Sequence, residues 1–253
     1  MLGIYFSGTG NSRYALEVFA REYGGLFRLS GIEDEKAVEL LRENQDIVIS
    51  YSVQYSSIPK MLRDFVDENR GLWQGKNVFV IATMGAFSGD GAGILARRLR
   101  KYGARINGGL HLKMPDSIAD EKVLKRSREE NRALVKRAED KIGTAVREVK
   151  AGHPPREGLS WLCRMAGLFG QRLYFGHKTR QYTDRLKIDF NRCVGCGTCV
   201  KQCPMQNLRL EGSKVLAEGR CTMCYRCVNI CPKQAVTLLG KRVVQQGTIE
   251  TYL

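Results

Sequence analysis

Histidine is scarce in this 253-residue chain, which holds only His111, His153 and His177. None falls in a glycine-rich turn between a strand and a helix, and His153 sits in the break Gly152-His153-Pro154-Pro155. Proton-transfer catalysis most often uses a positioned histidine, so all three are expected to be structural or exposed. No run of 18 or more apolar residues occurs, which leaves no candidate transmembrane segment. The N-terminus lacks a basic region and a cleavage pattern. Met1-Leu2-Gly3-Ile4-Tyr5-Phe6 reads as a first strand rather than a secretion signal. A cytoplasmic protein is the default expectation. No nucleic-acid motif and no NAD(P)H-binding module is visible, so nucleic acid and nicotinamide are not expected partners.

Cysteine, by contrast, is plentiful. Eight of nine lie between Cys193 and Cys231, and Cys163 stands apart. In a reducing compartment such clustering signals metal more than disulfides. The first run is Cys193-Val-Gly-Cys196-Gly-Thr-Cys199-Val-Lys-Gln-Cys203-Pro204. The second, 28 residues on, is Cys221-Thr-Met-Cys224-Tyr-Arg-Cys227-Val-Asn-Ile-Cys231-Pro232. Both have the spacing of a cubane site, in which three close cysteines wrap one cluster and the fourth ligates the other. One 4Fe–4S cluster is thus expected on Cys193, Cys196, Cys199 and Cys231, the second on Cys221, Cys224, Cys227 and Cys203. Gly195 and Gly197 ease the tight turns. Structural zinc is the alternative, but zinc ribbons supply two CxxC pairs rather than triads followed by Cys-Pro. No histidine replaces a cysteine, which excludes a Rieske centre. With all eight ligands used, electron transfer is expected rather than chemistry at an open iron. Residues 186–240 resemble a bacterial two-cluster ferredoxin, which implies a small α+β ferredoxin-like domain that shuttles single electrons.

The first 150 residues alternate strand and helix patterns. Strands are expected at 1–6, 26–30, 46–51, 77–83 and about 108–114. Helices are expected at 11–23, 33–43, 59–69, 90–102 and about 120–151. That order implies an α/β fold with a doubly wound, five-stranded parallel sheet, whose ligands bind beyond the carboxyl ends of the strands. Ser7-Gly8-Thr9-Gly10-Asn11-Ser12 leads from the first strand into the first helix and can surround a phosphate with donors. It lacks the lysine of a P-loop, and Arg13 takes the last glycine position of GxGxxG, so ATP and dinucleotides are poor fits. Two more loops, Tyr51 to Pro59 and Ala82 to Gly91, would lie at the same edge.

In its alternation and these three loops the N-terminal part resembles flavodoxins. The resemblance implies FMN, with Ser7, Thr9, Gly10, Asn11 and Ser12 around its phosphate. It also implies Tyr55 and Phe87 flanking the isoalloxazine ring, and backbone from Gly85 through Gly89 to Asp90 at the pyrimidine edge. Two departures stand out: the strand-three loop Tyr55-Ser56-Ser57 has no glycine, and the strand-four loop lacks the tyrosine usual in flavodoxins, unless Phe87 takes its place. Alternatively, Tyr55 and Phe87 simply cap the core. The whole chain resembles flavodoxin–ferredoxin fusion proteins of anaerobic bacteria and archaea.

The expected organisation is a flavodoxin-like domain over 1–151, a connector over 152–187, a ferredoxin-like domain over 188–240 and a tail over 241–253. The connector carries seven Lys or Arg against Glu157 and Asp184. Its Leu159, Leu162, Ala166, Phe169 and Leu173 recur at helical spacing, so an amphipathic helix packed between the domains is expected, with Cys163 buried in it. A formal charge of +15 falls to about +9 once two clusters (about −2 each) and FMN (about −2) are bound. This still basic chain suits a redox partner with an acidic docking surface. Its expected role is electron transfer between clusters and FMN. The rivals are an FMN-dependent reductase of a small molecule fed by the clusters, and a scaffold with purely structural clusters.

Overall fold

The computed structural model describes residues 1–123, 125–169 and 186–253. Its larger sheet contains β1 (Leu2–Phe6), β2 (Arg28–Gly31), β3 (Asp46–Ser52), β4 (Asn77–Met84) and β5 (Arg105–Lys113), all parallel, in the order β2-β1-β3-β4-β5. The central strands carry apolar runs such as Ile47-Val48-Ile49, buried on both faces because helices cover both sides. On one face, α2 (Ala37–Glu43), α3 (Lys60–Glu68) and α4 (Gly91–Lys101) pack through Leu41, Leu62, Val66, Leu95 and Leu99. On the other, α1 (Asn11–Tyr23) and α5 (Arg128–Lys150) bury Phe19, Val135 and Ile142. Each such fully buried aliphatic or aromatic side chain contributes roughly 2–3 kcal/mol.

The expected fifth helix starts at Arg128 rather than near 120. A capping box sets that start: the Glu130 N–H donates to Ser127 Oγ at 3.1 Å, while the Ser127 N–H donates to Glu130 at 2.8 Å. Residues before it instead leave the sheet and enter a third core. Ala119 is fully buried there among Leu208, Val215, Val228, Val236 and Leu238. Around this core lie two small antiparallel pairs, Lys187–Ile188 with Val236–Thr237 and Leu208–Glu211 with Lys214–Ala217.

In the connector, α6 (Trp161–Gly167) is capped by Ser160, whose Oγ accepts from the Cys163 N–H at 3.2 Å. Its backbone presses on the loop after β4, since a Cβ on Gly89 would lie 2.5 Å from Gly167 Cα. Leu159 packs on the sheet core, yet Trp161, Leu162 and Phe169 are exposed, and Cys163 is half-exposed rather than buried. The small Gly167 makes the close contact, so the larger side chains face away. Leu173, His177 and Asp184 lie outside the described residues. Among the described residues no helix is long and apolar enough to cross a membrane.

Candidate redox site

The two cysteine runs adopt one backbone twice. Short helices, Thr198–Gln202 and Arg226–Ile230, end in extended Cys203 (φ −74°, ψ 112°) and Cys231 (φ −70°, ψ 112°). Positive φ recurs at 28-residue intervals: Gly195 (66°) with Met223 (56°), Gly197 (70°) with Tyr225 (61°), Gln206 (47°) with Gln234 (49°). Glycine meets this demand without cost in the first run, whereas Met223 and Tyr225 carry it in the second at about 1 kcal/mol or more each. Both are buried. The Tyr225 hydroxyl donates to Asp120 Oδ1 at 2.9 Å, which fixes that turn.

Folding sorts the eight cysteines into two sets. Cys193, Cys196, Cys199 and Cys231 line one cavity, and Cys203, Cys221, Cys224 and Cys227 line a second. Backbone N–H groups already point at sulfur: Asn207 N–H to Cys203 Sγ and Ala235 N–H to Cys231 Sγ, each at 3.3 Å. Among the described residues no three His, Cys, Asp or Glu side chains converge as they would on a single metal ion. Burial pushes the Cys224 thiol up to about 11, so a thiolate there would need a metal cation beside it. Each all-cysteine set, a close triad joined by the distant fourth cysteine of the other run, suits a cubane.

At the carboxyl edge of the sheet, the loop after β1 is shaped for an anion. Gly10 is left-handed (φ 88°) and caps α1 without a side-chain bond, so the first N–H groups of that helix keep their donor capacity. Ser7 Oγ is buried and has no hydrogen-bond partner among the described residues. Thr9 is buried beside it. Asn11 and Ser12 use their side chains within the protein, Asn11 Nδ2 donating to the Pro115 carbonyl at 2.8 Å and Ser12 Oγ pairing with Thr83 Oγ1 at 2.9 Å. Their backbone N–H groups remain at the helix start.

Next to this loop lies a cavity of about 60 Å³, lined by Asn11, Tyr55, Gly85, Asp116, Met223, Cys224 and Tyr225 among others. Tyr55 (φ 47°) and Ser56 (φ 59°) form a two-residue turn closed by mutual bonds between Gln54 and Ser57. The turn that sequence reading singled out for its missing glycine thus takes the left-handed shape regardless, and Tyr55 also packs on the third core. Other expected residues lie elsewhere. Phe87 is exposed and lines a different cavity, Gly89 packs on α6, and Asp90 is buried in an ion pair with Arg97.

Asp116 was not singled out by motif. Burial raises its carboxyl above the ordinary 3.8, opposed by Lys125, 3.8 Å away. It follows Pro115 in a segment whose only sequence signal is the break after β5.

The cluster unit sits directly on the anion loop. A Cβ on Gly8 would lie 2.0 Å from the Cys224 carbonyl. Arg226 donates to the Ser7 carbonyl at 2.9 Å and to Glu33 at 2.7 Å. From the far end of the chain, the Ile249 N–H donates to the Thr9 carbonyl at 2.9 Å, with Ile249 buried over Gly10.

Residues 185–235 match the family model described as 4Fe-4S dicluster domain. The sheet order is that of flavodoxin-like doubly wound folds. The chain joins a flavodoxin-like fold to a 4Fe–4S dicluster-type unit. Solved structures similar to the flavodoxin-like part include the two-electron reduced flavodoxin of Megasphaera elsdenii, at 20% identity and TM-score 0.42, covering 57% of this chain and 100% of that one. A flavodoxin from the domain Archaea shares 18% identity over 59% of this chain and 97% of its own, also at TM-score 0.42. A Streptococcus pneumoniae flavodoxin shares 13% over the same spans, with TM-score 0.42. No curated protein sequence matches the chain. The flavodoxin-like and dicluster-type units together support an electron-transfer role.

Proposed function

We propose that this protein carries electrons between two 4Fe–4S clusters and an FMN held in the same chain, on behalf of a partner redox enzyme. The observation that carries this reading is shared lining. Cys224 and Tyr225 face both the four-cysteine cavity and the cavity at the sheet edge. A cluster on Cys203, Cys221, Cys224 and Cys227 would thus lie one residue's thickness from a flavin, and the other cluster would lie beyond it.

FMN would supply a two-electron centre beside one-electron clusters. The phosphate fits: Ser7 Oγ, Thr9, Gly10 and the N–H groups of Asn11 and Ser12 offer donors at a helix N-terminus. The ring has less room. The 60 Å³ cavity is smaller than an isoalloxazine, so its walls, the Tyr55-Ser56 turn and residues 223–225, would part to admit one. Tyr55 would then stack on the ring and Gly85 approach its edge, while Phe87, Gly89 and Asp90 would support the loop from outside. Met223 and Tyr225 would exclude water from the gap between centres.

In domain terms, 1–151 supplies the flavin unit, with Ile118 and Ala119 packing into the core of the cluster unit over 188–240, and 241–253 returns to the flavin unit and fastens the two together. A cluster-bearing protein with eight thiolate ligands suits the reducing cytoplasm, and its net basic surface suits an acidic partner.

The test is anaerobic purification with iron, sulfide and FMN quantitation, followed by stepwise reduction. About eight irons, about eight sulfides and one flavin per chain are expected, with visible absorbance falling in both chromophores. Failure of FMN to bind on reconstitution would remove the flavin half of the proposal.

A further inference from the structure

A cavity of about 550 Å³ that the redox reading does not use lies between β5, α5 and the loop after β4. Its floor is apolar, with Leu112, Leu134 and Ala138 almost fully buried beneath it. Its rim is cationic: Lys113 at the end of β5, Arg126 before α5, and Arg137 and Lys141 one turn apart on that helix. Among the described residues no acidic side chain lines it. Lys141 is balanced by Glu157 at 2.7 Å. Among the described residues Lys113, Arg126 and Arg137 form no close ion pair, although Arg126 also acts at longer range on Asp116, which does not line this cavity. His111 adds no charge, since its Nε2 accepts from the Ala92 N–H at 3.0 Å and burial lowers its pKa.

An apolar floor under unpaired charges of one sign is the lining of a ligand pocket, and the volume lies within the usual range for small molecules. The aromatic ring of Phe87 forms part of the wall. The cavity also adjoins the redox site: Met84 lines both, and Arg126 Nη1 reaches the Gly85 carbonyl at 3.4 Å. We propose that this cavity binds an organic anion with a flat apolar body, its carboxylate, sulfonate or phosphate held by Lys113, Arg126 and Arg137. The position beside Met84 would set such a ligand against the ring cavity, and only that consequence rests on the flavin reading.

The experiment is anaerobic titration calorimetry on the full chain, with and without FMN, using naphthalene-2-carboxylate as probe and naphthalene-2-methanol as its neutral counterpart. The carboxylate should bind at least tenfold more tightly than the alcohol, and weaken as salt is added. Lys113→Glu with Arg137→Glu should lower carboxylate affinity about tenfold or more and leave the alcohol unchanged. Lys136→Glu, on the same helix but outside the cavity, should change neither. Arg137→Gln alone, at an exposed position, should weaken the carboxylate severalfold and covers the case in which the double variant misfolds. Equal binding of both probes, no binding of either, or indifference to the Arg137 substitutions would overturn the proposal. Flavin-free protein should give the same ordering, so a failed flavin reading would not be mistaken for a failed anion site.

Discussion

Tyr225 and Asp120, 105 residues apart, meet in the interior with the hydroxyl donating to Oδ1 at 2.9 Å. The other carboxylate oxygen accepts from the Leu238 and Leu239 N–H groups at 2.9 and 2.7 Å. One buried carboxylate therefore ties the segment after β5 to the middle of the second cysteine run and to the residues that follow the short strand beyond it. Tyr225→Phe should cost about 1–3 kcal/mol, because Asp120 loses a donor it cannot replace with water. Chemical denaturation under anaerobic conditions reads the loss, and a variant as stable as the parent would show the bond to be dispensable.

Crossed ligation gives a sharper test of the cluster assignment. Cys203 lines the same cavity as Cys221, Cys224 and Cys227, not that of its sequence neighbours. Cys203→Ala should damage the cluster on the second triad and leave the one on Cys193, Cys196 and Cys199. Electron paramagnetic resonance of the reduced variant, compared with Cys231→Ala, distinguishes the two. Identical residual spectra from both variants would contradict the crossing.

The chain's last turn should hold the anion loop in shape. Ile249 is buried over Gly10 and its N–H fixes the Thr9 carbonyl. Ile249→Ala should cost about 2–4 kcal/mol by the cavity it leaves, and removal of residues 248–253 should weaken FMN about tenfold. Thermal unfolding and fluorescence titration of flavin-free protein measure the two effects. Undiminished flavin affinity after truncation would confine the segment to a packing role.

Asp116 lines the cavity at the sheet edge and makes it sensitive to pH. Its native pKa lies above the ordinary 3.8 because burial disfavours the carboxylate. The native chain therefore keeps a proton that the unfolded chain releases as pH climbs past 3.8, so this group's contribution to stability falls as pH rises from 3.8 to the raised native value. Lys125 opposes the shift, and Lys125→Gln should push the Asp116 pKa higher still. Carboxyl-carbon NMR titration follows it directly. A pKa that drops in the variant would mean that Lys125 does not act on this group.

Much of the fold is legible in local patterns. Residues 11–23 show the period of a helix on a sheet and form α1 over that span. The start of α5 is misjudged by pattern because charge periodicity extends upstream, whereas the Ser127–Glu130 box that fixes it is a matter of single atoms. Cys203 and Cys231 are assigned to their cavities by spacing alone. Phe87 illustrates what pattern does not show: it stands in a loop at the same edge, yet it lines a different cavity from the one that Tyr55 lines.

For the paired cysteine runs, the spacing by itself predicted the two sets of four that line the two cavities, because a short chain wrapped on a cubane leaves few other spacings. The sequence also determined the alternating sheet, because period and turn chemistry act within a few residues. Tertiary structure alone decided that the Cys224 carbonyl presses on Gly8, that Arg226 reaches Ser7, and that Ile249 closes over Gly10. Those contacts join segments more than 200 residues apart. They depend on complementary shape and on partners for buried polar groups, neither of which leaves a periodic trace along the chain.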